Sequence, residues 1–243
     1  MMVVAIILSI WQRLGLEGQI ALGSGRTVVQ LLVVGSLLEV IFQWKNPAAV
    51  LAVLLVMLTI AAIVARNRIG KKIPQVLPMV WGSILTATVL TMSYVNLLVL
   101  RSPQAWFEPG YIIPLTGIVL GNAMNAASIA GERLATNLNN SQLEIETHLC
   151  LGATPVEAIA NYRQEAIKAG LIPTLNAMMV VGIVTLPGII TGQMLAGASP
   201  LNAAAYQILI MFMLGFATLL TTLLVVSGIW RQFFNEAAQL QKF

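Results

Sequence analysis

The chain has 243 residues, of which 58% are hydrophobic and 9% charged, and a formal net charge of +4; its mean hydropathy is +0.87. An ordinary soluble domain is roughly 45–50% apolar and about 25% charged, so this composition excludes a soluble globular domain and a disordered chain and leaves a helical membrane protein. The 13 Lys and Arg residues sit in short gaps between apolar runs, which argues against nucleic acid as a partner, and the single cysteine, Cys150, rules out an intramolecular disulfide.

A helix that crosses a bilayer needs about 20 mostly apolar residues. The first apolar run, Met1–Trp11, would reach only about 16 Å at a rise of about 1.5 Å per residue. No basic residue precedes it, as one would in a signal peptide, and the first charge is Arg13. It is expected to be a short first span, with part of its length missing. Six full-length runs follow, near Val28–Trp44, Pro47–Ala65, Val76–Leu100, Tyr111–Ala130, Leu171–Ala196 and Ala203–Trp230. None alternates apolar and polar residues, which excludes a β-barrel. The predicted fold is all-α and polytopic: six full spans plus the short N-terminal one, forming a single transmembrane domain over residues 1–243. A cytoplasmic segment over residues 131–170 lies between spans five and six.

With seven spans, all Lys and Arg residues except Lys45 and Arg101 fall on one side. The positive-inside rule makes that side cytoplasmic, with the N-terminus outside and the C-terminus inside a plasma (inner) membrane. Trp11, Trp44, Trp81, Trp106 and Trp230 fall near span ends, as interfacial anchors do.

The segment over residues 131–170 carries two helix-start signals. Ser141-Gln142-Leu143-Glu144 and Thr154-Pro155-Val156-Glu157 both fit the capping box, the second with Pro at the first helical position. Helices are therefore predicted from Gln142 to Leu151 and from Pro155 to Ala169, broken at Gly152-Ala153 and ended by Gly170. Val156, Ile159, Ala160 and Ile167 would form an apolar stripe opposite Glu157, Arg163 and Glu165. Such a pair serves either as a solvated connector or as a docking element for a cytoplasmic partner; a connection of this length tends to be functional.

Several residues within the spans could contact a transported solute. Glu39 is the acidic residue placed well inside a span; it either reaches the interface or lines a pathway, where its carboxylate would be a hard metal ligand. Asn122, Met124 and Asn125 lie together in span five, where Asn amides need partners inside the bundle. Met124 offers a thioether that serves either as a soft ligand or as packing. Glu39 and Met124 are thus candidate metal contacts. Met178, Met179 and Met194 offer further thioethers in span six. Pro187-Gly188 should break that span, either as a packing kink or as part of a transport pathway. His148 and Cys150 are two residues apart and do not share a helix face. Gly70-Lys71-Lys72 lacks the flanking residues of a P-loop, and the sequence holds no catalytic constellation. The chain is predicted not to be an enzyme.

Leu149-Cys150-Leu151-Gly152-Ala153-Thr154-Pro155-Val156-Glu157-Ala158 is similar to the coupling-helix region of ABC transporter permeases. Four further stretches resemble a narrower family: Gly25–Leu31, Ile113–Met124 with its IP…GNAM pattern, Thr185–Met194 with LPG…TG, and Pro200–Met213 with YQI. This is the FetB-like permease family, associated with iron efflux in bacteria and, in plants, with aluminium tolerance. The resemblance runs from about residue 13 to the C-terminus; the short first span is its one departure.

The resemblance implies the permease subunit of an ATP-driven ABC exporter of a metal cation such as iron. It implies a homodimer and a separate ATPase subunit that would bring ATP and Mg; this chain itself would bind no cofactor. Glu144, Leu149, Leu151, Gly152, Ala153, Thr154, Pro155 and Glu157 would couple to that ATPase. Glu39, Asn122, Met124, Asn125, Met178, Pro187 and Gly188 would lie along the substrate pathway. The alternatives are a self-sufficient secondary transporter or channel for a polar or cationic solute, which would need repeats or more buried charge, and a membrane assembly factor.

Overall fold

The computed structural model describes residues 1–44, 46–70, 73–100, 108–235 and 239–241. Lys45, Lys71, Lys72, Arg101, Trp106 and Lys242, used above for charge and anchoring, lie outside the described residues, as does the side chain of Trp44. The helices in chain order are α1 (Met2–Trp11), α2 (Glu17–Trp44), α3 (Pro47–Ile69), α4 (Val76–Tyr94) with a π-helical extension (Val95–Leu100), α5 (Pro109–Asn140), α6 (Gln142–Cys150), α7 (Pro155–Ala158), α8 (Ala160–Val180), α9 (Gly188–Leu195) and α10 (Pro200–Gln232). Among the described residues, five helices are long and apolar enough to cross a membrane: Glu17–Gln43, Pro47–Ile69, Val76–Leu97, Pro109–Asn140 and Pro200–Gln232.

The contacts divide the chain into two units, Met1–Val50 and Leu51–Phe243. In the first, Ser9 is buried; its Oγ accepts from the Leu16 N–H at 3.3 Å and donates to Glu17 Oε2 at 3.4 Å. That ties the turn between α1 and α2. Helix α2 starts at Glu17, well before the predicted Val28. Ser24 and Thr27 donate back to the carbonyls of Ile20 and Gly23, so these polar residues are satisfied within the helix and do not interrupt it.

In the second unit, α5 and α10 form the centre. Helix α5 has 32 residues, or about 48 Å at about 1.5 Å per residue, well beyond a hydrocarbon core of about 30 Å. It carries residues 131–140 of the segment predicted to be a separate connector. Two apolar clusters define the ends of the unit. One joins early α4, late α5 and late α10 through Val80, Leu134 and Ile229. The other joins late α4, early α5 and early α10 through Met92, Leu115 and Ile210. Helices α5 and α10 therefore run in the same direction, with α4 antiparallel to both.

The expected single span over Leu171–Ala196 is divided. Helix α8 stops at Val180, and α9 begins at Gly188 and has only 8 residues. The helix predicted from Pro155 to Ala169 is also different: it breaks at Ile159, and α8 then runs through Gly170 without ending there. Gly170 is small because helices meet on it. A Cβ there would lie 2.6 Å from Thr222 Cγ2 and 3.0 Å from Ala130 Cβ. Its role is close approach of α8 to α5 and α10, a tertiary demand that imitates a helix-stop signal.

Candidate functional site: a capped corner and a broken helix

The corner formed by α6 and α7 is built from local chemistry. Gly152 sits at φ +93° between the two helices, a conformation that a Cβ disfavours. Thr154 then caps α7. Its N–H donates to Glu157 Oε2 at 2.9 Å, its hydroxyl donates to the same oxygen at 2.7 Å, and the Glu157 N–H returns a bond to Thr154 Oγ1 at 3.4 Å. The predicted capping box is thus present, with Pro155 at the first position. The Thr154 hydroxyl, and secondarily its backbone N–H, holds the Glu157 carboxyl below its ordinary range.

The other predicted box, at Ser141, is not formed. Ser141 is joined directly to α5, its N–H is bonded to the Asn137 carbonyl at 3.0 Å, and its side chain makes no cap bond. Glu144 instead accepts from the Tyr162 hydroxyl at 2.7 Å, linking α6 to α8. Burial is the main cause that pushes the Tyr162 phenol up. Asn137 donates to Glu165 at 3.1 Å and Arg133 lies 3.7 Å from the same carboxylate, joining α5 to α8. From beneath, Ile145 and Ile159 are fully buried in the main core. On the outer side, Leu143 and Leu151 are 81% and 80% exposed. Leu149 is half-buried against the core, and Ala153 and Pro155 are partly covered. The corner is held firmly and presents apolar side chains outward.

The second region lies between α8 and α9. Thr174 and Thr218 share a hydrogen bond at 3.2 Å that pins α8 to α10. Beyond Val180 the chain makes a tight loop: Gly182 takes φ +81° and its N–H donates to the Thr185 carbonyl at 2.9 Å. Pro187 then serves as N-cap of α9, followed by Gly188. The expected Pro-Gly break is present, but the helix already ends at Val180. Met178, Gly182, Leu186, Pro187, Gln207 and Met211 line a cleft of about 350 Å³ here.

Within the second unit, the predicted pathway residues do not all line one cleft. Glu39 belongs to the first unit, where it is exposed on α2. Met124 is half-buried against the main core. Asn122 satisfies its amide on its own helix, donating to the Ile118 carbonyl at 3.0 Å, and Asn125 is exposed. The expectation that both amides face the interior fails because Ala123, Ala126, Ala127 and Ala130 occupy that face, where small side chains let helices approach. Met178, Pro187 and Gly188 remain at the cleft and break. Among the described residues, no three His, Cys, Asp or Glu side chains come together as a metal-binding group.

Sequence reasoning missed Gln207 and Asn96. Gln207 is 5% exposed and Asn96 2% exposed. Gln207 Oε1 and both amide atoms of Asn96 find no hydrogen-bond partner among the described residues. Each unmatched buried polar group costs about 1–3 kcal/mol. The available signal was an amide in an otherwise apolar run, inside a stretch noted only for its YQI pattern.

Five described helices long and apolar enough to cross a bilayer define a multi-pass membrane protein. The chain belongs to the family described as Uncharacterised protein family (UPF0014), whose model matches residues 1–234. It is 53% identical to a UPF0014 membrane protein of Synechocystis, over 97% of this chain and 91% of that one. It is 34% identical to the Probable iron export permease protein FetB of Escherichia coli, over 99% of this chain and 91% of the relative. It is 35% identical to Protein ALUMINUM SENSITIVE 3 of Arabidopsis thaliana, over 98% and 85%. No solved structure matches.

Proposed function

We propose that the chain is the permease subunit of an ATP-driven exporter of the ABC type, moving a metal cation such as iron out of the cytoplasm. The observation that carries this reading is the α6–α7 corner, where Leu143 and Leu151 stand exposed beside the capped Thr154–Glu157 turn. An exposed apolar surface on a firmly anchored element suits a protein partner. That partner would be a separate ATPase subunit, which would bring ATP and Mg, and a second copy of this chain would complete the pathway. Motion would enter at Leu149–Ala158 and pass through α8, whose first turn is tied to α6 by the Tyr162–Glu144 bond, toward the break at Pro187. In this arrangement the corner faces the cytoplasm and the N-terminus lies outside. The name of the Escherichia coli relative supports iron as the cargo.

Gentle affinity purification from native membranes, with mass spectrometry of the co-purifying proteins, tests the reading. A stoichiometric P-loop ATPase is the expected result, reduced at least tenfold by Glu157→Lys. A homo-oligomer without any ATPase would overturn the pump in favour of a channel or secondary transporter.

A further inference from the structure

Helices α5 and α8 run antiparallel and leave a charged cleft along their outer faces. Their relative direction follows from two contacts: Arg133 lies 3.7 Å from Glu165 near the start of α8, whereas Gly170, further along α8, meets Ala130 and the Ala126 carbonyl. The cleft holds about 590 Å³, within the range of small-molecule sites, about 300–1,000 Å³. Ile129 and Ile172 line its deeper end, and Glu132, Arg133, Thr136, Glu165 and Lys168 line the other. Ile129, Glu132 and Thr136 follow one another at helical spacing on α5, as do Glu165, Lys168 and Ile172 on α8. Each helix thus gives the cleft one face that changes from apolar to charged.

That change falls at the boundary of the bilayer. A Cβ on Gly131 would lie 2.6 Å from Ile69 Cδ1 and 3.0 Å from Ile229 Cδ1, so this part of α5 stands level with the last turns of α3 and α10. Those turns carry Arg66, Arg68 and Arg231. Trp230 has the guanidinium groups of Arg163 and Arg231 at 5.6 and 5.9 Å from its ring centre. A tryptophan among basic residues at the ends of apolar helices marks the headgroup layer. Ile172 is 51% exposed, so the cleft opens onto acyl chains at one end and onto headgroups and water at the other.

The charges restrict the ligand. Glu165 is already engaged, with Arg133 beside it and Asn137 donating to it at 3.1 Å. Lys168 and Glu132 are exposed and form no ion pair among the described residues. The cleft therefore offers a cation to an anionic group, and a carboxylate and the Thr136 hydroxyl to hydrogen-bond donors. A phospholipid supplies both where its phosphodiester ends in an ammonium or in hydroxyls, as in phosphatidylethanolamine and phosphatidylglycerol. Phosphatidylcholine has the phosphodiester but no N–H or O–H donor.

We propose that the α5–α8 cleft is a binding site for a membrane phospholipid whose headgroup carries hydrogen-bond donors. Lys168 takes the phosphodiester, Glu132 accepts from the terminal ammonium or hydroxyls, and the acyl chains leave past Ile129 and Ile172. Basic pockets between membrane helices take lipid headgroups in this way. The bound lipid joins α5 to α8 beyond the Gly170 contact and so braces the helix that leads from the corner to the break. The site does not depend on the permease reading; only its assignment to the cytoplasmic leaflet rests on that reading.

The test uses the full chain, delipidated in a mild detergent, as wild type, Glu132→Ala and Lys168→Ala. Native mass spectrometry counts bound lipid during titration with phosphatidylethanolamine, phosphatidylglycerol or phosphatidylcholine of matched acyl chains. Saturable binding of the ethanolamine or the glycerol lipid is expected, at least tenfold tighter than the choline lipid, and which of the two binds tighter identifies the donor. Glu132→Ala should remove that preference while leaving the choline lipid unchanged. Lys168→Ala should weaken all three at least tenfold. Both side chains are exposed, so the lipid-free unfolding temperature should stay level in each variant, and the two variants read different parts of the headgroup. Equal binding of the three lipids, no saturable binding of any, a preference that survives Glu132→Ala, or affinities unchanged in Lys168→Ala would overturn the proposal. Equally tight binding of O-phosphoethanolamine or glycerophosphoglycerol, which lack acyl chains, would also overturn it, because the ligand would then come from solution. ATPase co-purification is scored separately, so loss of the pump reading and loss of the lipid site give different results.

Discussion

The α6–α7 corner and the α8–α9 break both end in a proline-started helix, yet they are built in opposite ways. At the corner, Thr154 and Glu157 satisfy each other within four residues, and the exposed face is apolar. At the break, Pro187 caps α9 without any side-chain bond, and the nearby polar atom, Gln207 Oε1, is buried and unmatched. The corner has its polar groups matched and is a rigid handle. The break leaves one buried amide oxygen, Gln207 Oε1, without a partner among the described residues. Local capping makes the first region stable by itself, whereas the second depends on how α8, α9 and α10 pack.

The comparison fails most severely if the two regions are not joined through α8. Gly170, where α8 meets α5 and α10, supplies that joint. Gly170→Val places its Cβ against Thr222, Ala130 and the Ala126 carbonyl, and overpacking of this kind costs about 1–3 kcal/mol or more. Chemical denaturation in detergent should show that loss. Gly192→Ala in α9, whose Cβ meets nothing within 4 Å, should be level or slightly stabilising. Equal effects at the two glycines would break the assignment of Gly170 as the packed joint.

At the corner, Gly152→Val forces a β-branched residue to φ +93°, a strain of about 1–2 kcal/mol. Because Gly152 is exposed, the bundle should stay folded while ATPase co-purification drops at least tenfold. An unfolded chain would mean that the corner belongs to the core, and a folded chain with normal ATPase recovery would remove its coupling role.

The corner was legible in the sequence because its determinants are neighbours: Thr154, Pro155 and Glu157 need only each other, and Gly152 only its own φ. The same pattern at Ser141 misled, since the signal does not say that α5 arrives as an unbroken helix and that Glu144 is engaged by Tyr162 from eighteen residues away. The apolar runs showed the all-helical membrane class and most helix positions. They could not show that Leu171–Ala196 divides at Val181, because a run of apolar residues has the same composition whether helical or looped. Gly170 read as a stop because a glycine needed for close packing and one needed for a positive φ look alike in one dimension. Glu39, Asn122 and Asn125 drew attention as polar residues in spans, but a helix can satisfy an Asn on its own carbonyl or turn it outward. Gln207 and Asn96 differ only in being buried, which is a property of the packed helices.

Thr154→Ala sharpens the contrast at smaller scale. Losing the cap should cost about 1 kcal/mol of local stability. Hydrogen exchange should therefore quicken across the Glu157, Ala158 and Ile159 amides while α8 beyond Gly170 keeps its protection. Faster exchange spreading through α8 would show that the corner is not an independent local structure.

The smallest expected effect is the pH response of Glu157. Its carboxyl is held below the ordinary value of 4.5 by the Thr154 hydroxyl and N–H, so the folded pKa is depressed relative to the unfolded chain. Linkage then requires that the capping contribution be complete above the ordinary carboxylate range and be lost as pH falls through the depressed folded value. The side chain is fully exposed, so solvent and salt screen the effect and global stability should barely respond. The Thr154 amide, which donates directly to Glu157 Oε2, is the local reporter. Its NMR resonance should titrate with a midpoint below 4.5, and the step should vanish in Glu157→Gln, which keeps the shape of the side chain but has no proton to lose. A midpoint at or above 4.5, or an unchanged step in Glu157→Gln, would mean that the Thr154–Glu157 bonds do not persist in solution, and the corner would lose the rigidity that distinguishes it from the break.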